Sequence, residues 1–290
     1  MSGILRPMKL FLKLTRQVRP LPLKAGLFVL LAAIFSAGET PARHLIGQTN
    51  EKLTPIQREL ERQRQRLKSD DIEERRDALM RLGNLKRPGA SRIAAGALAD
   101  VAPSVRVAAS HAILSLPPAE AVTLLLPLLQ DKIEFVRRET AYTLGQTRSH
   151  SAVAPLENAL LNDKETGVRA AAAVALGEIG DESSVQSLSQ LLAGQSEKKK
   201  KSNGAPNEFV MRAAARSLGQ IKSRSGVGVL IATLTNDAND NDVRREAAKA
   251  LGLIGDPSAV PALQAAFTSG DPYLSEAARD ALRRLRAARN

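Results

Sequence analysis

Apolar residues recur along this chain on two scales. Within a short segment they fall three and four apart, as at Val168, Ala172, Ala175 and Leu176, the spacing that lines one face of an α-helix. Across segments the whole frame returns. Val105-Arg106, Val136-Arg137, Val168-Arg169 and Val243-Arg244 each have Leu or Ile eight residues after the Val, and the frame reappears with substitutions at Glu74-Arg75, Val210-Met211 and Leu274-Ser275. Anchors at 74, 105, 136, 168, 210, 243 and 274 are separated by 31, 31, 32, 42, 33 and 31 residues. A period this regular marks a repeat array.

One unit, starting at Asp163, shows what each repeat builds. Its first half predicts an amphipathic helix that Gly177 and Gly180 end, since a glycine just past the last apolar residue adopts the left-handed backbone that closes a helix. Ser184 is the expected cap of a second helix carrying Val185, Leu188, Leu191 and Leu192. Neither helix buries its stripe alone, so neighbouring pairs must stack. Small side chains at Ala109, Ala172, Ala214, Ala247 and Ala278, four residues past the anchor, let the backbones approach. The expected fold class is all-α, an α-solenoid of about seven helix-turn-helix repeats over residues 69–290.

The ends and one interruption depart from the repeat. Residues 43–68 are expected to form a linker and a capping helix, because Thr54-Pro55-Ile56-Gln57 combines an N-cap, a proline at the first helical position and a capping-box glutamine. The spacing of 42 comes from residues 194–208, a polar Lys-rich loop containing Gly204 and Pro206. In the second repeat Pro117-Pro118 stands where glycine turns are expected, predicting a stiffer corner.

Residues 25–37 are a thirteen-residue apolar run behind a basic stretch and ahead of small residues. Residues 1–42 are therefore expected to be a signal peptide, cleaved after Gly38 or Ala42, or else an N-terminal membrane anchor. Lys24, Pro22 and Pro20 keep the run from lengthening upstream toward the ~20 residues of a spanning helix. The expected location is secreted or periplasmic, the alternative being the inner membrane with the repeats facing the periplasm.

The units Val168 to Leu188 and Val243 to Leu263, and more loosely Val136 to Leu156, resemble the short HEAT-like repeats of phycobilin lyase subunits. Their shared pattern is D-x-x-x-x-V-R-x-x-A-x-x-A-L-G-x-x-G-D-x-x-A-V-x-x-L. The resemblance spans about residues 69 to 290. It implies a charge ladder along the stack, made here by Asp100, Asp131 and Asp163 with Arg75, Arg106, Arg137, Arg169 and Arg244, and broken by Met211 and Ser275. It does not imply one function, because such modules serve many partners. Deoxyhypusine hydroxylases of similar repeat fold hold iron with His-Glu dipeptides, which this chain lacks. Repeat-built alkylpurine DNA glycosylases use aromatic residues in a basic groove, whereas here aromatics are 3% and Trp is absent.

Charge first suggests nucleic acid, with a net +12, but its location changes that. The first 42 residues hold Arg6, Lys9, Lys13, Arg16, Arg19 and Lys24 against Glu39; Lys198, Lys199, Lys200 and Lys201 cluster in the loop; and the last twelve residues are Arg-rich. The repeat body is left near neutral, which argues against a phosphate-tracking surface. Cysteine is absent, so disulfides and thiolate chemistry are excluded. His44, His111 and His150 lie in different segments with no metal-ligand spacing, and no P-loop or nucleophile elbow is present. No metal or cofactor is expected.

These observations lead to a non-catalytic, exported, monomeric scaffold that grips a protein or peptide on a concave surface lined by the second helices. The exposed positions expected there are Glu157, Asn158, Gln186, Gln190, Thr233 and Gln264, with Lys198 to Lys201 as a further contact. Membrane contact would come only through an uncleaved N-terminal segment. Two alternatives stand beside this: an accessory, lyase-like subunit in cofactor or pigment maturation, and a binder of anionic surfaces through the Lys-rich loop.

Overall fold

A computed structural model describes residues 53–194 and 207–287. The N-terminal segment 1–42, His44 and Lys198 to Lys201 lie outside the described residues. Fourteen α-helices run through the described residues, without strands. After α1 (Pro55–Arg66) come six pairs: α2 (Ile72–Asn84) with α3 (Pro88–Ala95), α4 (Pro103–Ala112) with α5 (Pro118–Leu125), and α6 (Glu134–Gln146) with α7 (Val153–Asn162). The series continues with α8 (Thr166–Ile179) and α9 (Val185–Leu192), α10 (Glu208–Ile221) and α11 (Val227–Thr235), α12 (Asn241–Ile254) and α13 (Val260–Phe267), and α14 (Pro272–Ala287).

The first helices of the pairs stack one on the next from α2 to α14, and the second helices form an outer row against them. α8 packs on α10 as closely as α6 packs on α8, so the spacing of 42 leaves the stacking unchanged. The expected seven pairs are six among the described residues. α14 has no second helix there, while α1 packs against α2 and α3 in the place a preceding second helix would take. Its capping box is formed as expected: Gln57 N–H donates to Thr54 Oγ1, and Thr54 N–H donates to Gln57 Oε1 at 2.8 Å.

Small residues set the closeness of the first layer. Ala109, Ala172, Ala214, Ala247 and Ala278 have no exposed surface. A Cβ at Gly145, Gly219 or Gly252 would stand 2.7, 2.8 or 2.7 Å from the Cα of Ala175, Ala250 or Ala281, respectively. Backbone meets backbone at these positions, and no side chain fits. Gly177 belongs to this row: it lies inside α8 against Ser217 and does not end the helix. The terminator is Gly180 alone, at φ +75°. Arg148 and Lys222 hold the left-handed conformation at equivalent turns without the freedom of glycine.

Two other local expectations are revised. Ser184 does not cap the second helix; its Oγ is buried without a partner, and Asp181 instead accepts from Ser183 N–H to start the preceding 3-10 turn. Pro118 begins α5 at its first position, and Pro127 follows in a 3-10 turn, Leu126–Gln130, that no other unit has in that place.

Candidate functional site on the first-helix face

The ladder implied by the repeat pattern forms over three rungs. Arg75 donates from Nε and Nη2 to both oxygens of Asp100 at 2.8 and 2.9 Å, Arg106 does the same to Asp131 at 2.8 and 2.9 Å, and Arg137 to Asp163 at 2.8 and 3.0 Å. Each aspartate also accepts the N–H two residues on, at Ala102, Ile133 and Glu165, so it starts one unit while holding the previous one. Burial of Asp100 and Asp131 opposes their ionisation, but the arginine and N–H donors outweigh it, and both carboxyls titrate below the usual range. Hydrogen bonds to Asp100 and Asp163 raise Arg75 and Arg137 above the ordinary arginine value.

Arg169 and Arg244 do not join this ladder. Nε of Arg169 is buried without a hydrogen-bond partner. Arg244 turns back within its own unit, donating to Leu234 O at 2.9 Å and pairing with Asp237 at 2.8 Å. The reason is the missing rung partner: position 269, five before the seventh anchor, is Ser269 and not Asp. The ladder is a structural device of the amino-terminal units and presents no open chemistry.

The outward side of the first helices is different. The column one residue before the anchor holds Phe135, Phe209 and Tyr273, which are 38, 51 and 67% exposed. Tyr142, partly exposed, lies on α6 of the same layer. Four of the five aromatic residues in the described chain are thus on first-layer helices, the fifth being Phe267 at the end of α13. Arg138 sits 5.5 Å from the Phe135 ring centre and Arg245 5.3 Å from that of Tyr273, a cation–π geometry.

Ion pairs brace this face. Between α10 and α12, Arg212 reaches Asp242 and Arg216 reaches Glu246, each at 3.2 Å; within α12, Lys249 joins Glu246 at 3.0 Å and Arg245 pairs with Asp242. Burial raises the Glu246 carboxyl, yet Arg216 and Lys249 more than compensate and hold it below the ordinary glutamate value. Two grooves open here. One of ≈650 Å³ lies between α2 and α4, lined by Leu79, Met80, His111 and Leu114; α4 has 10 residues against 13 in α2, leaving the end of α2 uncovered. The other, of ≈450 Å³, lies between α12 and α14 beside Leu253, Tyr273 and Arg284.

The residues expected to bind a partner lie in the other layer. Asn158, Gln186 and Gln264 are exposed, and Glu157 and Gln190 are partly so. Glu157 accepts from Ser187 Oγ at 2.7 Å, and Gln186 and Gln190 border a groove of ≈620 Å³ between α9 and α11. Thr233 is a correction: it is 4% exposed and donates to Val229 O at 2.8 Å. α11 is apolar on nearly every side, so its sequence alone did not fix which face points inward. The structure does not bring these residues together with the aromatics. The aromatic column was legible in the aligned repeats, one position before the third, fifth and seventh anchors, but only the fold shows it to be exposed.

His150 Nδ1 lies 2.5 Å from Asp181 Oδ2 across the turns of adjacent units, and this contact, with the Ser183 donors, lowers the Asp181 carboxyl to about 2. Among the described residues no group of three or more His, Asp or Glu is placed to hold a metal ion. No helix among them is long and apolar enough to cross a membrane.

The sequence profile of the family described as HEAT repeats matches residues 91–172, 134–203 and 201–283. No curated protein matches the chain. Solved structures similar to it include human deoxyhypusine hydroxylase in complex with glycerol, at 21% identity over 79% of this chain and 96% of that one, with a TM-score of 0.40. Another is the complex of CpcE and CpcF of phycocyanin lyase from Nostoc sp. PCC7120, at 22% identity over 88% and 93%, with a TM-score of 0.47. An engineered protein matches at 22% identity over 78% and 68%, with a TM-score of 0.48.

Proposed function

The chain belongs to the HEAT-repeat family, and from that premise we propose that it is a non-catalytic scaffold that holds a partner protein on the exposed face of its first helices. The observation that carries this reading is the concentration of exposed aromatics, Phe135, Phe209 and Tyr273, in one column of that face. Aromatic anchors bury large area at little entropic cost and dominate protein interfaces. The braced arginines and carboxylates around them form a polar rim of the kind such interfaces carry.

Curvature supports the same face. Glycine and alanine bring the first helices into backbone contact, while the second helices meet one another less intimately. In a curved stack the closer-packed layer is the inner arc, so the aromatics line the concave side and the second helices the convex side.

Export is part of the proposal and rests on the sequence of residues 1–42, with the repeats working in the periplasm. A reporter enzyme active only outside the cytoplasm, fused after Asn290, is expected to be active; an inactive fusion would remove export from the reading. For the binding face, a photo-crosslinking amino acid at Phe209 or Tyr273 in the native cell is expected to yield discrete protein adducts. The same probe at Asn158 or Gln264 is expected not to yield those adducts. Adducts to the same proteins from second-layer positions alone would overturn the assignment.

A further inference from the structure

The face that carries the aromatics changes character along its length. Six residues past the anchor, its column reads Met80, His111, Tyr142 and Val174 in the first four units, Arg216 and Lys249 in the next two, and Asp280 in the last. A column without carboxylate or fixed cation thus becomes cationic on α10 and α12, the helices between Phe209 and Tyr273.

The ion pairs on these helices are short of carboxylates. Four cations, Arg212, Arg216, Arg245 and Lys249, share two of them, Asp242 and Glu246. Arg284 is a fifth cation, without an ion-pair partner among the described residues, and its stem turns onto α12, where a Cβ on Gly252 would lie 3.6 Å from its Cδ. Glu276 and Asp280 border the groove between α12 and α14 but have Arg279 and Arg283 of their own. With Glu208 at the head of α10 counted, five cations stand against three carboxylates, an excess of two positive charges. On α6 and α8 the balance is reversed: apart from the ladder positions Arg137 and Arg169, Glu134, Glu139 and Glu178 stand against Arg138.

Bracing the helices accounts for the pairs but not for the surplus. A guanidinium carries five N–H donors, and Arg212 and Arg216 each commit one to the brace, from Nη1 and from Nε. Phe209, Arg212 and Arg216 are spaced three and four apart, so they share one face of α10.

We propose, on the reading that the first-helix face holds a partner protein, that the partner lays an acidic and apolar segment across α10, α12 and α14. Its carboxylates meet Arg212, Arg216 and Arg284, and a large apolar side chain enters the groove between α12 and α14. That groove, of ≈450 Å³, is lined by Leu253, Ala277 and Ala281 with the Tyr273 ring, and Arg284 is the charge in it left uncompensated. Complementarity of sign therefore asks for an apolar group with a carboxylate beside it. Two surplus charges next to an apolar groove suit interleaved carboxylates better than a phosphate polymer, whose binding needs a longer cationic track.

The test uses the full-length chain in mild detergent and the probe acetyl-Asp-Phe-Asp-Phe-Asp-amide, which spans roughly 17 Å when extended, about two helix spacings. Tyr142 and Tyr273 are the two tyrosines of the chain, so fluorotyrosine labelling gives one fluorine NMR reporter on α14 and one on α6. The probe is expected to shift Tyr273 and leave Tyr142 in place, and the same peptide with Asn for Asp is expected to bind about tenfold more weakly. Arg284→Gln should weaken the probe about tenfold and Arg284→Lys less, because lysine keeps the charge but not the fork. Arg76→Gln, at an exposed arginine of α2, should change nothing. The proposal is overturned if roughly 1 mM probe leaves Tyr273 unshifted, if Tyr142 shifts equally, if the Asn peptide binds as well, or if Arg76→Gln weakens binding as Arg284→Gln does. A single-stranded oligonucleotide that shifts Tyr273 at lower concentration than the probe would overturn it in favour of nucleic acid. Cellular crosslinks from Phe209 that persist beside any of these results would keep the scaffold reading and remove the acidic segment alone.

Discussion

Removing Asp131 should cost this protein more than removing any surface charge, and the amount can be worked from its contacts. Its carboxylate accepts two bonds from Arg106 at 2.8 and 2.9 Å and the Ile133 N–H at 2.9 Å. Arg106 and Asp131 side chains are 10% and 12% exposed, so the pair is close to buried. Breaking a buried pair by deleting one partner costs ~3–5 kcal/mol, and losing a helix-starting acceptor ~1 kcal/mol. Arg106 retains bonds from Nη1 to Asp100 O and Val101 O, and water can reach the edge of the site, which lowers the first figure. The expected loss for Asp131→Ala is therefore about 3 kcal/mol.

Arg106→Met on top of Asp131→Ala should recover about half of this, because no buried guanidinium is then left without its carboxylate. Arg169→Met makes the contrast. Its Nε already lacks a partner, so the substitution should cost less than about 1 kcal/mol or stabilise. The assay is urea unfolding of the full chain together with hydrogen exchange in α4 and α6, since repeat arrays lose strict two-state behaviour. A loss below about 0.5 kcal/mol for Asp131→Ala, or additive single and double variants, would refute the ladder as a stabilising device.

Three further outcomes follow from the packing and the charges. Gly219→Val should destabilise by about 2 kcal/mol or more, since even a Cβ would stand 2.8 Å from the Ala250 backbone, and a thermal midpoint within error of the parent would count against backbone contact. Lys222→Gly should raise stability by up to about 1 kcal/mol, because φ +59° there strains a side chain but not glycine; a lowered midpoint would disprove the strain. Acid should unfold the chain through its aspartates. Asp100, Asp131 and Asp181 titrate below the ordinary 3.8 when folded, so the unfolded chain takes up protons first, and the stability they contribute is full above that pH and lost as pH falls toward about 2. Melting followed from pH 5 to 2 should show the loss, with a shallower slope in Asp181→Asn; a flat profile would contradict it.

Much of this molecule is written in its one-dimensional pattern. The capping box at Thr54 depends on near neighbours, and the repeat period and the alanine column at Ala109 through Ala278 emerge when the units are aligned, so the chain's own pattern suffices to read all three. The partners of the ladder were implied by pattern resemblance, and three rungs formed because Asp and Arg stand at fixed offsets in consecutive units. Local reading misassigned Gly177, which looks like a helix terminator but serves a contact with the next unit, and Thr233, whose helix is apolar all round and so gives no phase. Which layer packs more tightly depends on glycine meeting an alanine some thirty residues away. The repeat period matches that separation but does not tell that the two backbones touch. The sequence by itself determined that helices would pair and stack; only the tertiary structure decided that the aromatics face outward on the tight layer while the second helices form the opposite face, because exposure is a property of neighbours the chain meets only after it folds.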